Sequence, residues 1–425
     1  MNLGEKIRYF RRIKNLSQQE LAAGICSIPY LSKIENSVTE PSEKIKQHLA
    51  ERLEIKLDSI NENEVLSKYV DLFYLLYQRD YQAADLKFHT FLETPSESVE
   101  EEILTKIFKS IYILMTSQET LTVQVLLNEA AYIDHMIKGE KAFYYLLARG
   151  LHSYYLKEFE ESFNYFLKAE QRLDNNRFLE WEKGYLFYLI ALSANQLYKN
   201  IVALEYTKRA LEIFEKTYSF KRCADCRIIL AIIHLRIKNF DESTKHLLLA
   251  ETIANTFNDD VLRGAIYQNL GSIATHKGES DKAIEFYFQS LKAKKKQPVS
   301  FQLTTMYTLM KEYEKIDRPN EGLALVNTAL ELVKGNPVFQ GFELHFMYFK
   351  HVFTYRDLHE VKIKFMINEL IPYFEQRNEW LFLAQYYPII GKYFENNQKY
   401  KQASLYYSAT YEALKKMYEL GVTYV

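Results

Sequence analysis

The sequence predicts an all-α protein: a small N-terminal helical domain followed by a long array of helix pairs. Three observations support this fold class. Only 13 glycines and 8 prolines occur among 425 residues, so residues that end helices or build turns are scarce. Apolar residues near the N-terminus recur at helical spacing. Further along, a pattern of small and aromatic residues returns about every 40 residues, a period typical of helical repeat proteins.

The first helix is amphipathic and basic. Leu3, Ile7 and Phe10 recur at helical spacing, which gives the helix one apolar face. Five cationic residues share this segment, namely Lys6, Arg8, Arg11, Arg12 and Lys14, although the whole chain has a net charge of −1. A basic head on a nearly neutral body is typical of a DNA-binding module joined to a regulatory one. The alternative is a solvated helix face.

The next two helices are marked by their ends. Ser17 and Glu20 have the spacing of a capping box, so a second helix begins there, and Gly24 ends it. Ser27 is expected to cap a third helix, with Pro29 in its first turn, where a missing N–H group is tolerated. These signals predict two short helices joined by a tight turn.

Three segments of this head are similar to the XRE (phage-repressor-type) helix-turn-helix family: Ser17-Gln18-x-Glu20-Leu21-Ala22, Ser27-x-x-Tyr30-Leu31-Ser32-Lys33-Ile34-Glu35-Asn36, and Pro41-Ser42. In such domains a helix enters the major groove, and side chains near its N-terminus reach base edges. The resemblance implies that residues 1–60 form a helix-turn-helix domain that binds a double-stranded DNA operator. The residues expected to contact DNA are Gln18, Ser27, Ile28, Pro29, Tyr30 and Lys33, with Arg11 and Arg12 on phosphates.

This surface has few polar groups that can read bases. Ile28 and Pro29 can touch thymine methyl groups but cannot form bidentate hydrogen bonds. The alternative for Tyr30 is partial packing in the core. We therefore expect one head to bind weakly, and a homodimer or a higher homo-oligomer to bind two half-sites.

The rest of the chain repeats one pattern. Its clearest copy has Gly271, then Ala283 twelve residues later, then Tyr287 four residues after that. This pattern resembles the tetratricopeptide (TPR) repeat, whose small residues let two helices pack closely. The resemblance implies a right-handed TPR-type α-solenoid over residues 61–425. About nine helix pairs are predicted, starting near residues 66, 103, 143, 181, 222, 263, 302, 342 and 380.

An XRE head followed by a long TPR array resembles the RNPP family of quorum-sensing regulators, and most of all its NprR branch. The resemblance implies a transcriptional regulator whose DNA binding is controlled by a short imported signalling peptide on the inner face of the array. The alternative is the role of the Rap proteins, which lack the head and bind a response regulator of the sporulation phosphorelay. One chain could combine both functions.

The inner face of a TPR array comes from the first helix of each pair, along a stripe at 3.6 residues per turn. Asn269 occupies a position where asparagines hold peptide backbones in several TPR proteins, since an amide both donates and accepts hydrogen bonds. Arg236 or Lys311 is the expected partner of a peptide carboxylate; the alternative is pairing with acidic residues of the array itself. The other candidates are Leu189, Asn195, Ile229, Gln268, Ser272 and Tyr307.

Other chemistry receives little support from the sequence. Cys223 and Cys226 have no second cysteine pair, so we expect no metal site, and no motif for a nucleophile or a phosphate-binding loop occurs. We expect no enzymatic activity and no cofactor. Three cysteines and a polar start at Met1 favour a cytoplasmic protein without a membrane partner.

Overall fold

The computed structural model describes residues 3–54, 62–93, 99–131, 139–173, 178–355 and 359–419, and the regular structure in these ranges is entirely helical. The described chain divides into two compact units, Met1–Leu186 and Phe187–Val425. The predicted domain boundary at residue 60 falls in the segment 55–61, outside the described residues. Within the described ranges, no helix has both the length and the apolar character needed to cross a bilayer.

The first unit holds the head, three complete helix pairs and the start of α11. Its helices are α1 (Leu3–Ile13), α2 (Gln18–Ala22), α3 (Ile28–Glu35), α4 (Glu43–Leu53), α5 (Glu62–Gln78), α6 (Tyr81–Glu93), α7 (Val99–Thr116), α8 (Thr120–Ala131), α9 (Glu140–Tyr155), α10 (Phe159–Glu170) and α11 (Glu180–Gln196).

The second unit continues the repeats. Its helices are the rest of α11, α12 (Asn200–Lys216), α13 (Phe220–Arg236), α14 (Phe240–Thr256), α15 (Asp260–Lys277), α16 (Ser280–Lys294), α17 (Val299–Lys315), α18 (Pro319–Val333), α19 (Gln340–Thr354), α20 (Glu360–Phe365), α21 (Ile371–Gln376), α22 (Trp380–Asn396) and α23 (Tyr400–Glu419). A π-helical segment, Met366–Leu370, joins α20 to α21.

The ends of the head helices follow from local hydrogen bonds. The Ser17 hydroxyl accepts from the Glu20 N–H at 3.1 Å, and the Glu20 carboxylate accepts from the Ser17 N–H at 2.6 Å, which confirms the capping box. Gly24 follows α2 with φ +73°, a conformation that favours glycine. Ser27 occupies the N-cap of α3, but its hydroxyl makes no capping hydrogen bond, so that part of the prediction is wrong.

Nine helix pairs are present in the described residues, as predicted. Their first helices are α5, α7, α9, α11, α13, α15, α17, α19 and α22. In the pairs that begin with α9, α15 and α22, the helices pack closely because a glycine of the first faces a ring of the second. A Cβ atom added at Gly271 would lie 2.5 Å from Cε1 of Tyr287, and one added at Gly391 would lie 2.8 Å from Cε1 of Tyr407. The spacing found in the sequence is therefore a packing requirement.

Candidate functional site

The N-terminal half of α3 forms an exposed face of the head. Ser27, Pro29 and Lys33 are exposed, Ile28 is 43% exposed, and Tyr30 is half-buried. Leu31 and Ile34 on the opposite side of α3 are buried in the head core with Ile7, Leu21 and Leu49. The helix thus brings five of the eight residues predicted for DNA contact to one surface. Their contact with DNA stays a prediction.

Arg11 and Gln18 make contacts within the head. Glu35, on α3, is 3% exposed. Arg11 Nε donates to Glu35 Oε1 at 2.6 Å and its Nη2 to Oε2 at 3.0 Å, while Gln18 Nε2 donates to Oε2 at 2.7 Å. A third Arg11 nitrogen, Nη1, donates to the Leu16 carbonyl at 2.9 Å. Arg12, by contrast, is exposed. Phosphate contacts by Arg11 and Gln18 therefore stay predictions that must compete with this network.

Glu35 was not among the residues predicted to have a role in the head. The sequence clue to its burial is that this carboxylate follows Leu31 and Ile34 on the apolar side of α3. Arginine and glutamine are available on the neighbouring helices. A buried carboxylate needs several donors to offset the loss of water. Arg11 and Gln18 supply them and thereby join α1, α2 and α3.

The nine residues predicted to hold a peptide all lie in the second unit, on the first helices of four consecutive pairs. They are Leu189 and Asn195 on α11, Ile229 and Arg236 on α13, Gln268, Asn269 and Ser272 on α15, and Tyr307 and Lys311 on α17. The structure therefore places them where the repeat pattern put them. Their surroundings divide them into three groups.

One group borders a cavity of about 360 Å³ between α15, α16 and α17. Ser272 and Lys311 are the two predicted residues in its wall. The full lining is Ser272, Thr275, His276, Tyr287, Thr308, Lys311, Glu312, Glu314 and Lys315. The volume lies within the range of small-ligand sites, at its lower end. Two carboxylates, Glu312 and Glu314, belong to the wall but were not among the predicted residues.

The charged groups in this wall are partly removed from water. Lys311 and Glu314 are exposed side chains beside the cavity. Desolvation lowers the pKa of the Lys311 ammonium, against the opposing effect of Glu314 and Glu312. Desolvation likewise raises the pKa of the Glu314 carboxyl. Because both side chains remain exposed, water and salt screen their attraction to an oppositely charged ligand, and each such pair contributes a modest free energy.

The position of Gln268 is fixed by a buried cation. Lys294, at the end of α16, is 6% exposed. Its Nζ donates to Thr305 Oγ1 at 2.8 Å and lies 3.5 Å from Gln268 Oε1, and Gln268 Nε2 donates to Thr308 Oγ1 at 3.2 Å. Desolvation lowers the pKa of Lys294 to about 8. Because Thr308 lines the cavity, this chain of hydrogen bonds connects the buried ammonium to the cavity wall.

Asn269 keeps one hydrogen-bonding atom for a ligand. It is half-buried, and its Nδ2 donates to the Ala265 carbonyl at 2.9 Å, one turn earlier on α15. This bond fixes which way the amide points. Its Oδ1 is then the atom placed to accept from the N–H group of an extended peptide.

The second group lies at the end of α11. Arg236 Nη1 donates to the Asn195 carbonyl at 2.9 Å and to Asn200 Oδ1 at 3.2 Å, and its guanidinium carbon lies 4.2 Å from the centre of the Tyr198 ring. Burial lowers the pKa of Arg236. Asn195 is buried, and its Oδ1 has no hydrogen-bond partner among the described residues. Arg236 thus joins the end of α13 to the end of α11 and the start of α12, and its contact with a peptide stays a prediction.

The third group packs in the core. Leu189 and Ile229 are each 3% exposed, so in this conformation they offer a ligand almost no surface. The Tyr307 ring contacts the rings of His345, at 4.8 Å between centroids, and Phe349, at 5.7 Å. Cys223 and Cys226 are buried thiols on α13, and the described part of the chain contains no cluster of three or more residues suited to bind a metal.

Comparison with known proteins identifies the family. A helix-turn-helix family model matches residues 7–60. The transcriptional activator NprA of Geobacillus stearothermophilus is 31% identical over 405 residues, which cover 93% of this chain and 99% of NprA. The chain belongs to the RNPP family of transcriptional regulators and is NprR-like. This membership confirms the family predicted from the head and the repeats.

Solved structures of RNPP proteins share the fold. A Rap protein complexed with Competence and Sporulation Factor has a TM-score of 0.72 at 16% identity, over 84% of this chain and 99% of that chain. NprR in complex with its cognate peptide NprX has a TM-score of 0.66 at 20% identity, over 84% of this chain and all of the other. The prediction of a TPR-like helical solenoid is thereby confirmed.

Proposed function

We propose that this regulator is a cytoplasmic quorum-sensing protein whose DNA binding is controlled by a short imported peptide held along the first helices of its second unit. The observation that carries this proposal is the cavity bordered by Ser272 and Lys311, beside Asn269, in two consecutive pairs. Lys311 in its wall offers a cation for a peptide carboxylate, and Asn269, three residues before Ser272 on α15, offers an amide oxygen for a peptide backbone. The relatives that are named as a transcriptional activator and as a peptide complex support the same function.

The experiment replaces Asn269 by alanine in the full-length protein. Short peptides retained by the wild-type protein from a synthetic library serve as ligands, and duplexes selected from a random-sequence pool serve as DNA. We expect Asn269→Ala to remove the effect of the peptide on DNA binding, measured by fluorescence anisotropy, and to leave binding without peptide unchanged. The matched control is Asn327→Ala, on the exposed side of α18. A normal peptide response in Asn269→Ala would contradict the proposed groove.

On the DNA side, we propose that the exposed end of α3 enters the major groove, with Ser27, Tyr30 and Lys33 near the bases. A single head offers few polar groups to bases, so two heads are needed for a specific site. We therefore propose a homodimer or a higher homo-oligomer as the DNA-binding form. Analytical ultracentrifugation of the protein with and without DNA measures its stoichiometry, and one protomer per specific site would contradict this proposal. Binding, without catalysis, then accounts for the function.

The second candidate function is a Rap-like interaction with a response regulator. The similarity in fold to a Rap protein favours it, as does the regulatory protein RapK of Bacillus subtilis, 24% identical over 292 residues. Capture of a response regulator by the full-length chain, reversed by added peptide, would support this role. Peptide-dependent DNA binding without any such capture would leave the first function alone.

A further inference from the structure

One carboxylate in the cavity wall has a buried oxygen without a hydrogen bond among the described residues. Glu312, on α17, is 2% exposed, and its Oε2 has no hydrogen-bond partner among the described residues. The neighbouring Lys315 Nζ forms an ion pair with this oxygen at 3.9 Å, too long for a hydrogen bond, and donates to the Thr275 carbonyl at 3.3 Å. A buried acceptor left without a donor costs about 1–3 kcal/mol. Groups of this kind in folded proteins call for a specific explanation.

The groups around Glu312 add further acceptors. His276 Nδ1 lies 2.7 Å from the Ser272 carbonyl, so this nitrogen carries the proton, and Nε2 of the neutral ring is an acceptor. The Glu314 carboxylate lines the same cavity. The Tyr287 hydroxyl is already paired with Thr275 Oγ1 at 3.0 Å. The wall therefore offers acceptors, namely Glu312 Oε2 and the Glu314 carboxylate, in addition to its two lysines.

We infer that the cavity receives a cationic group of the signalling peptide, and that Glu312 is the residue that selects it. This inference rests on the proposed function, because it assigns part of the same peptide site. The cation is either the N-terminal ammonium or the side chain of a lysine or arginine, since each supplies charged N–H donors. Lys315 is exposed, so its ammonium can be hydrated by water when the ligand donates to Oε2. Lys311 stays available for the peptide carboxylate.

The arrangement predicts a peptide with both signs of charge. A peptide with only a carboxylate would pair with Lys311 and leave Glu312 Oε2 without a hydrogen bond. A charge-assisted hydrogen bond to a desolvated carboxylate contributes about 1.5–3 kcal/mol. That free energy corresponds to a preference of about 10- to 100-fold for the cationic peptide over its neutral analogue.

The test uses the full-length protein and a library of short random peptides in two forms, one with free N-termini and one Nα-acetylated. Retained peptides are identified by mass spectrometry for the wild type, for Glu312→Gln and for the matched control Glu285→Gln. Glu285 is exposed on α16 and does not line the cavity. We expect the wild type and the control to enrich cationic peptides at least tenfold, and Glu312→Gln to retain peptides without this preference. Enrichment in both library forms assigns the cation to a side chain, and enrichment only with free N-termini assigns it to the ammonium.

The contrary outcomes separate the two proposals. A wild type that retains peptides with no cationic preference, or a Glu312→Gln protein that keeps the preference, overturns the role of Glu312 and leaves the peptide groove intact. A wild type that retains no peptide overturns the proposed function as well. Thermal denaturation checks that Glu312→Gln is folded. Should it not fold, the wild-type preference decides: its presence supports the inference and its absence contradicts it.

Discussion

Replacing Arg11 by methionine separates a structural role of this side chain from a role in DNA binding. Methionine keeps much of the length of the side chain but removes the donors that reach Glu35 at 2.6 and 3.0 Å. Glu35 would remain buried with Gln18 as its remaining side-chain donor. Removing one partner of a buried ion pair costs about 3–5 kcal/mol, because the other charge stays desolvated. We therefore expect the head to lose about 3 kcal/mol or more of local stability.

Hydrogen exchange of the full-length protein measures this loss directly. A decrease of about 3 kcal/mol in opening free energy speeds exchange of the protected amides of α1, α2 and α3 by about 100-fold or more. Amides of the second unit should be unaffected. Arg12→Met is the matched control, since Arg12 is exposed and next in sequence. It should leave exchange unchanged and reduce the slope of log affinity against log salt by about one on a random-sequence duplex.

The opposite pattern would refute this account of Arg11. If Arg11→Met left exchange of the head unchanged and reduced the salt slope as much as Arg12→Met, Arg11 would be a phosphate contact and its bonds to Glu35 would contribute little. For Arg11→Met we expect instead the same salt slope as the wild type. Its DNA binding should be weaker only by the fraction of heads that are unfolded.

Three further substitutions test the packing and the buried charges of the second unit. Gly271→Ala should lower the free energy of unfolding by about 1–3 kcal/mol, because the methyl group meets the buried Tyr287 ring; an unchanged urea midpoint would contradict this. Burial lowers the pKa of His345 to about 3. Below pH 6.5 the unfolded chain therefore binds a proton at this residue more readily than the folded protein does. The free energy of unfolding should fall by about 4 kcal/mol between pH 6.5 and 3. His345→Gln should flatten that profile, and an equally steep profile would argue against it. Lys294→Met should stabilise the protein by about 1–2 kcal/mol at pH 7, because it removes the cost of burying the ammonium. That cost is full below the pKa of about 8 and is lost as the pH rises from 8 to 10.5. Destabilisation at pH 7 would show that the hydrogen bonds of Lys294 outweigh this cost.

The repeated features of the structure were predictable because they have a period. Gly271 and Tyr287 recur in kind in several pairs, so one packing contact appears in the sequence many times. The capping box at Ser17 and Glu20 was predictable because its bonds are local. Fold class, helix pairs and family follow from such signals.

The buried charges were not predictable in this way. Glu35, Lys294 and Glu312 do not belong to the repeated pattern of the helix pairs. Their burial depends on which helices pack against each other. The sequence placed Gln268 on the inner stripe of α15, but nothing in the sequence indicates that Lys294, on the next helix, would fix its amide. The position of a side chain on a helix face is a local property, and its hydrogen-bond partner across helices is not.

Two buried polar groups near the cavity lower the stability of the ligand-free protein. Lys294 is a buried cation without a carboxylate partner among the described residues, and Glu312 Oε2 is a buried acceptor without a donor. Each makes the empty form less stable than an apolar or fully paired wall would. A ligand that supplies the missing donor binds the folded state and not the unfolded one, so it raises the apparent stability by mass action, by about 2.7 kcal/mol at 100 times its dissociation constant. The unpaired acceptor that destabilises the ligand-free second unit therefore favours its ligand-bound form. A peptide that supplied this donor in one conformation and not in another would shift the equilibrium between them.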